Sequence, residues 1–216
     1  MTLFRLDASI RSDGSASREL ADAVEHEWLR VHPADSVERR HVGVDVLPAD
    51  AWAHAVTASS IPSESRSLEQ RAAVTLAATL ADELLAADGV LLAVPLYNFG
   101  VSQHAKTWID LVMADPRAGA GPSPLLTGKP VVLCTARGGA YGAGTPREGW
   151  DHSTSYLKRI VQDVWGAELT LVEREFTLAG VNPALDEFVD LGVQMRENAL
   201  ASARDAGRTL ALGRAA

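Results

Sequence analysis

The stretch from Asp88 to Gly100, DGVLLAVPLYNFG, constrains the fold more than any other part of the chain. Val90, Leu91, Leu92, Ala93 and Val94 form an aliphatic run with no polar alternation, the pattern of a strand buried on both faces. Pro95 has no N–H to offer a central ladder, so the strand must stop there and the backbone must turn. Leu96, Tyr97, Asn98 and Phe99 are thereby presented at the strand's carboxyl end, where open α/β sheets bind their ligands. Two aromatic rings and one amide suit a flat heteroaromatic ligand with polar edges, since rings cover a face and an amide reads an edge.

The segments around that strand alternate. Thr2 to Leu6 reads as a first strand, followed by a hydroxyl-rich loop from Asp7 to Ser17 and then a helix marked by Leu20, Ala23, Val24, Trp28 and Val31, which Pro33 stops. A strand running through a polar loop into a helix N-terminus is the geometry of an anion site. Ser9, Ser15 and Ser17, with backbone N–H groups, could hold a monophosphate; equally, Ser15 or Ser17 could simply cap the helix. Neither G-x-G-x-x-G nor G-x-x-x-x-G-K-[ST] is present, which weakens a dinucleotide or triphosphate reading. Ser36 to Val46 is polar enough for an edge strand, and Leu47 to Arg66 is a long excursion with room for one helical turn. Helices are expected over Ser67 to Ala87 and from Ser102 to Met113. After a loop from Ala114 to Gly128, Lys129 to Thr135 is a buried strand ending in a second glycine-rich loop, Ala136 to Gly142. Gly138 and Gly139 would let the backbone approach a ligand closely. A helix over Thr154 to Gly166, a strand over Glu168 to Phe176 and a helix from about Ala184 complete the pattern, with Phe188, Leu191, Met195, Ala199 and Ala203 on the last helix's buried face.

Five strands alternating with helices predict a doubly wound parallel sheet of order 2-1-3-4-5 in a three-layer αβα sandwich. In that order strands one, three and four are neighbours, so their three polar end loops converge on one crevice. A length of 216 residues fits one domain spanning 1–216. A net charge of −8 argues against nucleic acid as a partner, and the longest apolar run is far short of the roughly 20 residues a membrane span needs. No apolar core of a secretory signal follows the N-terminus, and the one cysteine, Cys134, lies in an apolar run. A cytoplasmic setting is therefore expected, with Cys134 a buried small hydrophobe.

The serines at 9, 15 and 17, the P-x-Y-N-F turn at Pro95 to Phe99 and the A-R-G-G run at Ala136 to Gly139 together resemble the FMN-dependent NADH-azoreductases, flavodoxin-like NAD(P)H:quinone oxidoreductases. The resemblance covers nearly the whole chain and includes D-L-V at Asp110 to Val112 and L-x-T-G-K at Leu125 to Lys129. It implies a flavodoxin-like fold, with FMN as cofactor and NADH or NADPH as hydride donor. Ser9, Ser15, Ala16 and Ser17 would hold the FMN phosphate. Pro95, Leu96, Tyr97, Asn98 and Phe99 would line the isoalloxazine with Asn98 on its polar edge, and Ala136, Arg137, Gly138 and Gly139 would close the other side. It further implies a homodimer with the flavin site at the interface and a small-molecule quinone or azo acceptor. The chain departs from the family pattern at Ala16, where a hydrogen-bonding side chain is common, at Ala136, which replaces a frequent serine, and between Ala114 and Pro124, which lacks the usual aromatic and acidic residues.

With a flavin, the protein binds, orients and tunes while the cofactor carries the hydride. Pro95 to Gly100 and Ala136 to Gly144 contain no carboxylate and one cation, Arg137, so a negatively charged reduced flavin would be tolerated and two-electron, ping-pong transfer is favoured over one-electron chemistry. The alternative is a flavodoxin-type electron carrier or a flavin-binding module without turnover. A hydrolase built on Ser153 with His104 or His152 lacks a G-x-S-x-G elbow, and the H-E-x-x-H of a zinc site fails at Arg30. Tyr141 is a candidate for acceptor contact or a structural tyrosine, and Trp52, Trp108, Trp150 and Trp165 serve packing or wall the cleft.

Overall fold

The computed structural model describes residues 1–119 and 123–213. Strands β1 (Thr2–Asp7), β2 (Ser36–His41), β3 (Gly89–Ala93), β6 (Pro130–Ala136) and β7 (Glu168–Arg174) form a parallel sheet of order β2-β1-β3-β6-β7. Numbered among themselves, these five strands run 2-1-3-4-5, as the alternation of segments predicts. Two short strands, β4 (Leu96–Tyr97) and β5 (Gly100–Val101), pair separately as a hairpin beyond β3.

Helix α1 (Ala16–Val31) and α6 (Val189–Leu212) cover one face; α2 (Ala51–Ala58), α3 (Leu68–Ala86), α4 (Gln103–Ala114) and α5 (Thr154–Lys158) cover the other. The pleat sorts β1 between the two layers. Phe4 and Leu6 face α3 and α4, where Phe4 stacks on Trp108 at 6.3 Å and Trp108 meets Trp165 edge-on at 5.8 Å. Leu3, Arg5 and Asp7 face α1 instead. Arg5 is 3% exposed there, held by Asp7 at 3.1 Å, Asp22 at 2.7 Å and Glu25 at 2.9 Å. Burial works against its charge and the three carboxylates outweigh that, raising its pKa further.

Local chemistry explains the helix starts. Ser67 and Gln70 form a reciprocal capping box on α3, and Ser102 Oγ accepts the Ala105 N–H at 3.3 Å on α4. Ser102 Oγ also donates to the carbonyl of Ala8 at 3.4 Å, tying α4 to the end of β1.

Several boundaries differ from the sequence expectation. The excursion after β2 carries the eight-residue α2 and a 3-10 turn at Ser63–Ser65, more than one helical turn. The helix expected through Gly166 is α for only Thr154–Lys158 and continues as a π-helical stretch over Arg159–Val164. In α6 the buried face is carried by small residues, Gly192, Ala199, Ala203, Ala206 and Gly207, with Leu210. Leu191 is exposed and Phe188 precedes the helix, packing on Phe176 at 5.0 Å. Residues 120–122 of the loop before β6 lie outside the described residues.

Candidate active site

The loops after β1, β3 and β6 enclose a cleft of about 840 Å³ at the carboxyl edge of the sheet, within the usual range for small-molecule sites. Ser9, Ser15, Ala16, Ser17, Pro95, Leu96, Tyr97, Asn98, Phe99, Ala136 and Gly138 all line it.

In the first loop Ser15 caps α1, its Oγ accepting the Arg18 N–H at 3.4 Å while lying 3.3 Å from Ser17 Oγ. Capping and facing the cleft are thus compatible roles for one serine. The amides of Ala16 and Ser17 belong to the first helical turn and have no acceptor within the helix. Two buried hydroxyls, these orphan N–H groups and the positive end of the α1 dipole make a cradle suited to a phosphate dianion. Arg18 straps the loop from outside it, donating to the carbonyls of Ser12 and Arg11 at 2.6 Å each. Behind the loop, Gly43 passes so close that a Cβ there would lie 2.0 Å from the Ser9 carbonyl oxygen.

The second loop is the hairpin β4–β5, which periodicity alone did not reveal. Its two central residues have positive φ, Asn98 at 48° and Phe99 at 67°, the conformation of a type I′ turn. Asparagine is favoured at such a position, whereas Phe99 stands where glycine is the usual residue. The turn's readable signal is Asn98 flanked by Gly100. Its effect is to push Phe99 outward, where it meets Tyr141 at 6.5 Å and Trp150 edge-on at 5.4 Å between ring centroids. Ser9 Oγ lies 3.0 Å from the Tyr97 hydroxyl and joins the first two loops.

The third loop differs from expectation at two residues. Arg137 points away from the cleft, with Nε 2.7 Å from Asp151, Nη1 3.2 Å from Glu175 and Nη2 paired with Glu173. Its N–H donates to the Arg174 carbonyl and its carbonyl accepts from Thr177, so main chain and side chain are both committed. Burial opposes the charge, and Glu173 and Asp151 outweigh it and keep the guanidinium protonated. Arg137 is therefore a bracket joining β6, β7 and the start of α5, and the tolerance for negative charge expected from it must come from elsewhere. Gly139 is not among the residues lining the cleft; its carbonyl accepts the Phe176 N–H, and a Cβ there would lie 3.3 Å from Arg147 Nη1. Gly138 lines the cleft beneath Leu178, whose Cδ1 would lie 2.7 Å from a Cβ at that position.

The lining also includes Arg11, Arg18, Tyr141, Arg147, Arg174, Thr177 and Leu178. The arginines carried no motif; only their positions one loop or one turn from the cleft reveal them. Arg174 is tied to Glu19, which Arg196 also pairs, and the Arg196 hydrogen bond helps hold the Glu19 carboxyl below its ordinary range.

The other candidates separate cleanly. Trp108 and Trp165 are core residues, while Trp52 and Trp150 are about half exposed. Cys134 is fully buried and desolvation pushes its thiol pKa up, which suits a packing role. Ser153 is fully buried and its hydroxyl has no hydrogen-bond partner among the described residues, so it forms no nucleophile–histidine pair. Among the described residues no cluster of three or more His, Cys, Asp or Glu is placed to hold a metal ion, and no helix is long and apolar enough to cross a membrane.

Comparison with known proteins agrees with this architecture. The family model described as a flavodoxin-like fold matches residues 1–181. An FMN-dependent NADH:quinone oxidoreductase of Frankia casuarinae is 40% identical over 204 residues, covering 94% of this chain and 96% of that protein. One from Streptomyces coelicolor is 36% identical over 202 residues, covering 92% and 90%. Among solved structures, an azoreductase of Bacillus anthracis superposes with a TM-score of 0.78 at 21% identity over 96% of this chain and 99% of that one. A second from that organism, an FMN-dependent NADH-azoreductase in complex with FMN, gives 0.79 at 17% identity over 98% and 100%. At these identities the structural likeness is one of fold. The sequence relationships go further: this chain belongs to the flavodoxin-like family of FMN-dependent NADH:quinone oxidoreductases.

Proposed function

We propose that this chain is an FMN-dependent oxidoreductase that takes hydride from NADH or NADPH and passes it to quinones or azo compounds. The observation that carries the reading is the convergence of a serine-rich helix start and an aromatic hairpin on one cleft, linked by the Ser9–Tyr97 hydrogen bond. The residues present fit FMN. Ser9, Ser15, Ser17 and the free first-turn amides of α1 would hold its phosphate, a role that asks nothing of the Ala16 side chain. Leu96 to Phe99 would flank the ring system with the Asn98 amide at its polar edge, and Ala136 and Gly138 would close the opposite side with little side-chain bulk. Bound there, FMN would supply two-electron hydride chemistry to a donor and an acceptor in turn.

The protein's own contribution is binding, orientation and shielding. The fold holds the two ligand-facing loops in fixed register through Ser9, Tyr97 and the Ser102–Ala8 hydrogen bond. No side chain is assigned as a proton donor; water at the open mouth of the cleft suffices.

We infer that the chain works as one domain and as a homodimer in the cytoplasm. Support for a dimer comes from the exposed apolar residues Val181, Val189, Leu191 and Val193, which follow the Thr177–Leu178 wall of the cleft and gain nothing from facing water.

The visible absorption spectrum of the purified protein, before and after anaerobic NADH, tests the reading. Flavin bands that bleach without a semiquinone phase, followed by reoxidation with a quinone, are expected. Bands that NADH does not bleach would favour the electron-carrier alternative, and failure to take up FMN at all would remove the assignment.

A further inference from the structure

Arg18, in the first turn of α1, carries the loop that forms the serine cradle. Its N–H meets Ser15 Oγ at 3.4 Å, while Nη1 donates to the Ser12 carbonyl and Nη2 to the Arg11 carbonyl at 2.6 Å each. Its Nε is buried and has no hydrogen-bond partner among the described residues. The guanidinium's one side-chain partner among them is His41, whose Nε2 lies 2.9 Å from Arg18 Nη2. A guanidinium has donors only, so this contact requires a lone pair on Nε2, a neutral ring and the proton on Nδ1. The same Nε2 stands 3.3 Å from the Ser9 carbonyl oxygen, which can only accept. Protonation of Nε2 therefore exchanges partners. The contact with Arg18 is lost to two facing donors of like charge, and the new N–H is left to the Ser9 carbonyl or to a carboxylate.

Sheet register places the ring. His41 ends β2 opposite Asp7 of β1, with Arg39 opposite Arg5 one pleat earlier. These four side chains, with Arg18 and Asp22 of α1 and Asp45 of the turn that follows, line a second cavity of about 390 Å³ on the far side of Arg18 from the cleft. Its other cations are already engaged, Arg5 by Asp7, Asp22 and Glu25, and Arg39 by Glu25. Asp45 closes the turn, its N–H donating to the His41 carbonyl at 2.8 Å. An imidazolium here meets carboxylates from β1, α1 and the turn, and its unengaged cationic neighbour is Arg18. The cavity thus accepts the proton, and the strap is the element that gives way.

We propose that His41 is a positioning residue for FMN: neutral, it anchors Arg18 and keeps the loop closed around the phosphate; protonated, it frees Arg18 and loosens the loop, so that the cofactor is held at neutral pH and released in mild acid. The proposal rests on the FMN reading above and adds proton control to that site.

Apoprotein titrated with FMN by flavin fluorescence between about pH 5.5 and 8, the range in which imidazoles change charge, tests it. The FMN phosphate takes up a proton near pH 6 in every variant, so the quantity read is the ratio of Kd at the acid end to Kd at the alkaline end, compared between proteins. His41→Gln keeps an uncharged acceptor for Arg18 and cannot become a cation; its ratio is expected to be about tenfold smaller than that of the wild type, the size of one hydrogen bond to a charged group. His41→Lys fixes a cation there and is expected to bind FMN weakly throughout, with the small ratio of the glutamine variant. Hydrogen–deuterium exchange over residues 9–18 of the apoprotein, wild type against His41→Gln at the same pH, reads the loop without the cofactor. Faster exchange in the wild type at the acid end and equal exchange at the alkaline end are expected. Equal Kd ratios in wild type and His41→Gln overturn the proposal, as does a lysine variant that binds FMN like the wild type at the alkaline end. A glutamine variant that weakens binding equally at every pH assigns His41 to packing and also overturns it. His41-dependent exchange of the loop in a protein that never takes up FMN would leave the strap standing and remove the cofactor reading.

Discussion

Ser9 Oγ and the Tyr97 hydroxyl lie 3.0 Å apart across the cleft's inner wall, and through them the loop after β1 and the hairpin after β3 behave as one piece. Ser9 Oγ also accepts the Arg11 N–H at 3.2 Å, so the same oxygen shapes its own loop and reaches across to the next. Tyr97→Phe removes only the crossing hydrogen bond and keeps the ring. The expected outcome is a loss of FMN affinity of about fivefold, corresponding to roughly 1 kcal/mol, with a small change in melting temperature. Fluorescence titration of apoprotein with FMN measures it; unaltered affinity would show that the two loops are held in register by other contacts.

Gly43 sets the position of that loop from behind. A Cβ placed 2.0 Å from the Ser9 carbonyl oxygen cannot be accommodated without moving main chain, because both contacting groups are backbone. Gly43→Ala is expected to shift the serine loop, weaken FMN uptake by more than Tyr97→Phe does, and destabilise the fold by about 1 to 3 kcal/mol. Urea unfolding of the apoprotein gives the stability and FMN titration the affinity. A variant that unfolds like the wild type and binds FMN normally would mean that the edge strand yields instead of the loop.

These two residues also show what could be read in advance. The parallel, helix-covered sheet followed from the alternation of strand and helix segments, and the three ligand-facing loops followed from where Pro95 and the polar stretches interrupt the buried runs in a 2-1-3-4-5 order. Side-chain direction did not follow. Arg137 sits in the right loop yet turns toward Asp151, Glu173 and Glu175, partners 14 to 38 positions distant in sequence that become neighbours only when β7 pairs with β6 and the start of α5 folds back beside them. The steric demand at Gly43 was equally hidden, since it arises from a nonlocal approach and not from a turn. In α6 the expected face is met at Ala199 and Ala203 and missed at Leu191, because close packing on α1 selects small residues and leaves Leu191 and Val193 outside.

Phe99 offers a direct measure of backbone strain at the site. At φ 67° a β-carbon is disfavoured and glycine is not, so side-chain contact and backbone conformation oppose each other. Phe99→Ala loses the contacts with Tyr141 and Trp150 and keeps the strain; Phe99→Gly loses both. The glycine variant is therefore expected to be more stable than the alanine variant by about 1 kcal/mol. Equal stability of the two in urea unfolding would show that the hairpin relaxes out of the left-handed region once the ring is gone.

The bracket around Arg137 predicts a pH dependence with a definite sign. Burial of Asp151 opposes its ionisation, but the N–H groups of Thr154 and Ser153, the Thr154 hydroxyl and the Arg137 guanidinium outweigh it and hold the carboxyl below its ordinary value. A carboxylate depressed in the folded state contributes stability that is fully present above its unfolded pKa of about 4 and is lost as the pH falls through the folded value. Asp151→Asn keeps an acceptor for the two amides and removes the charge. The variant is expected to be less stable than the wild type by about 1 to 3 kcal/mol from pH 5 to 7, with the gap narrowing below pH 4 as the wild type alone gains a proton there. Urea midpoints across that range test it. A gap that stays constant into acid would assign the loss to altered packing at the start of α5 and not to the ionised carboxylate.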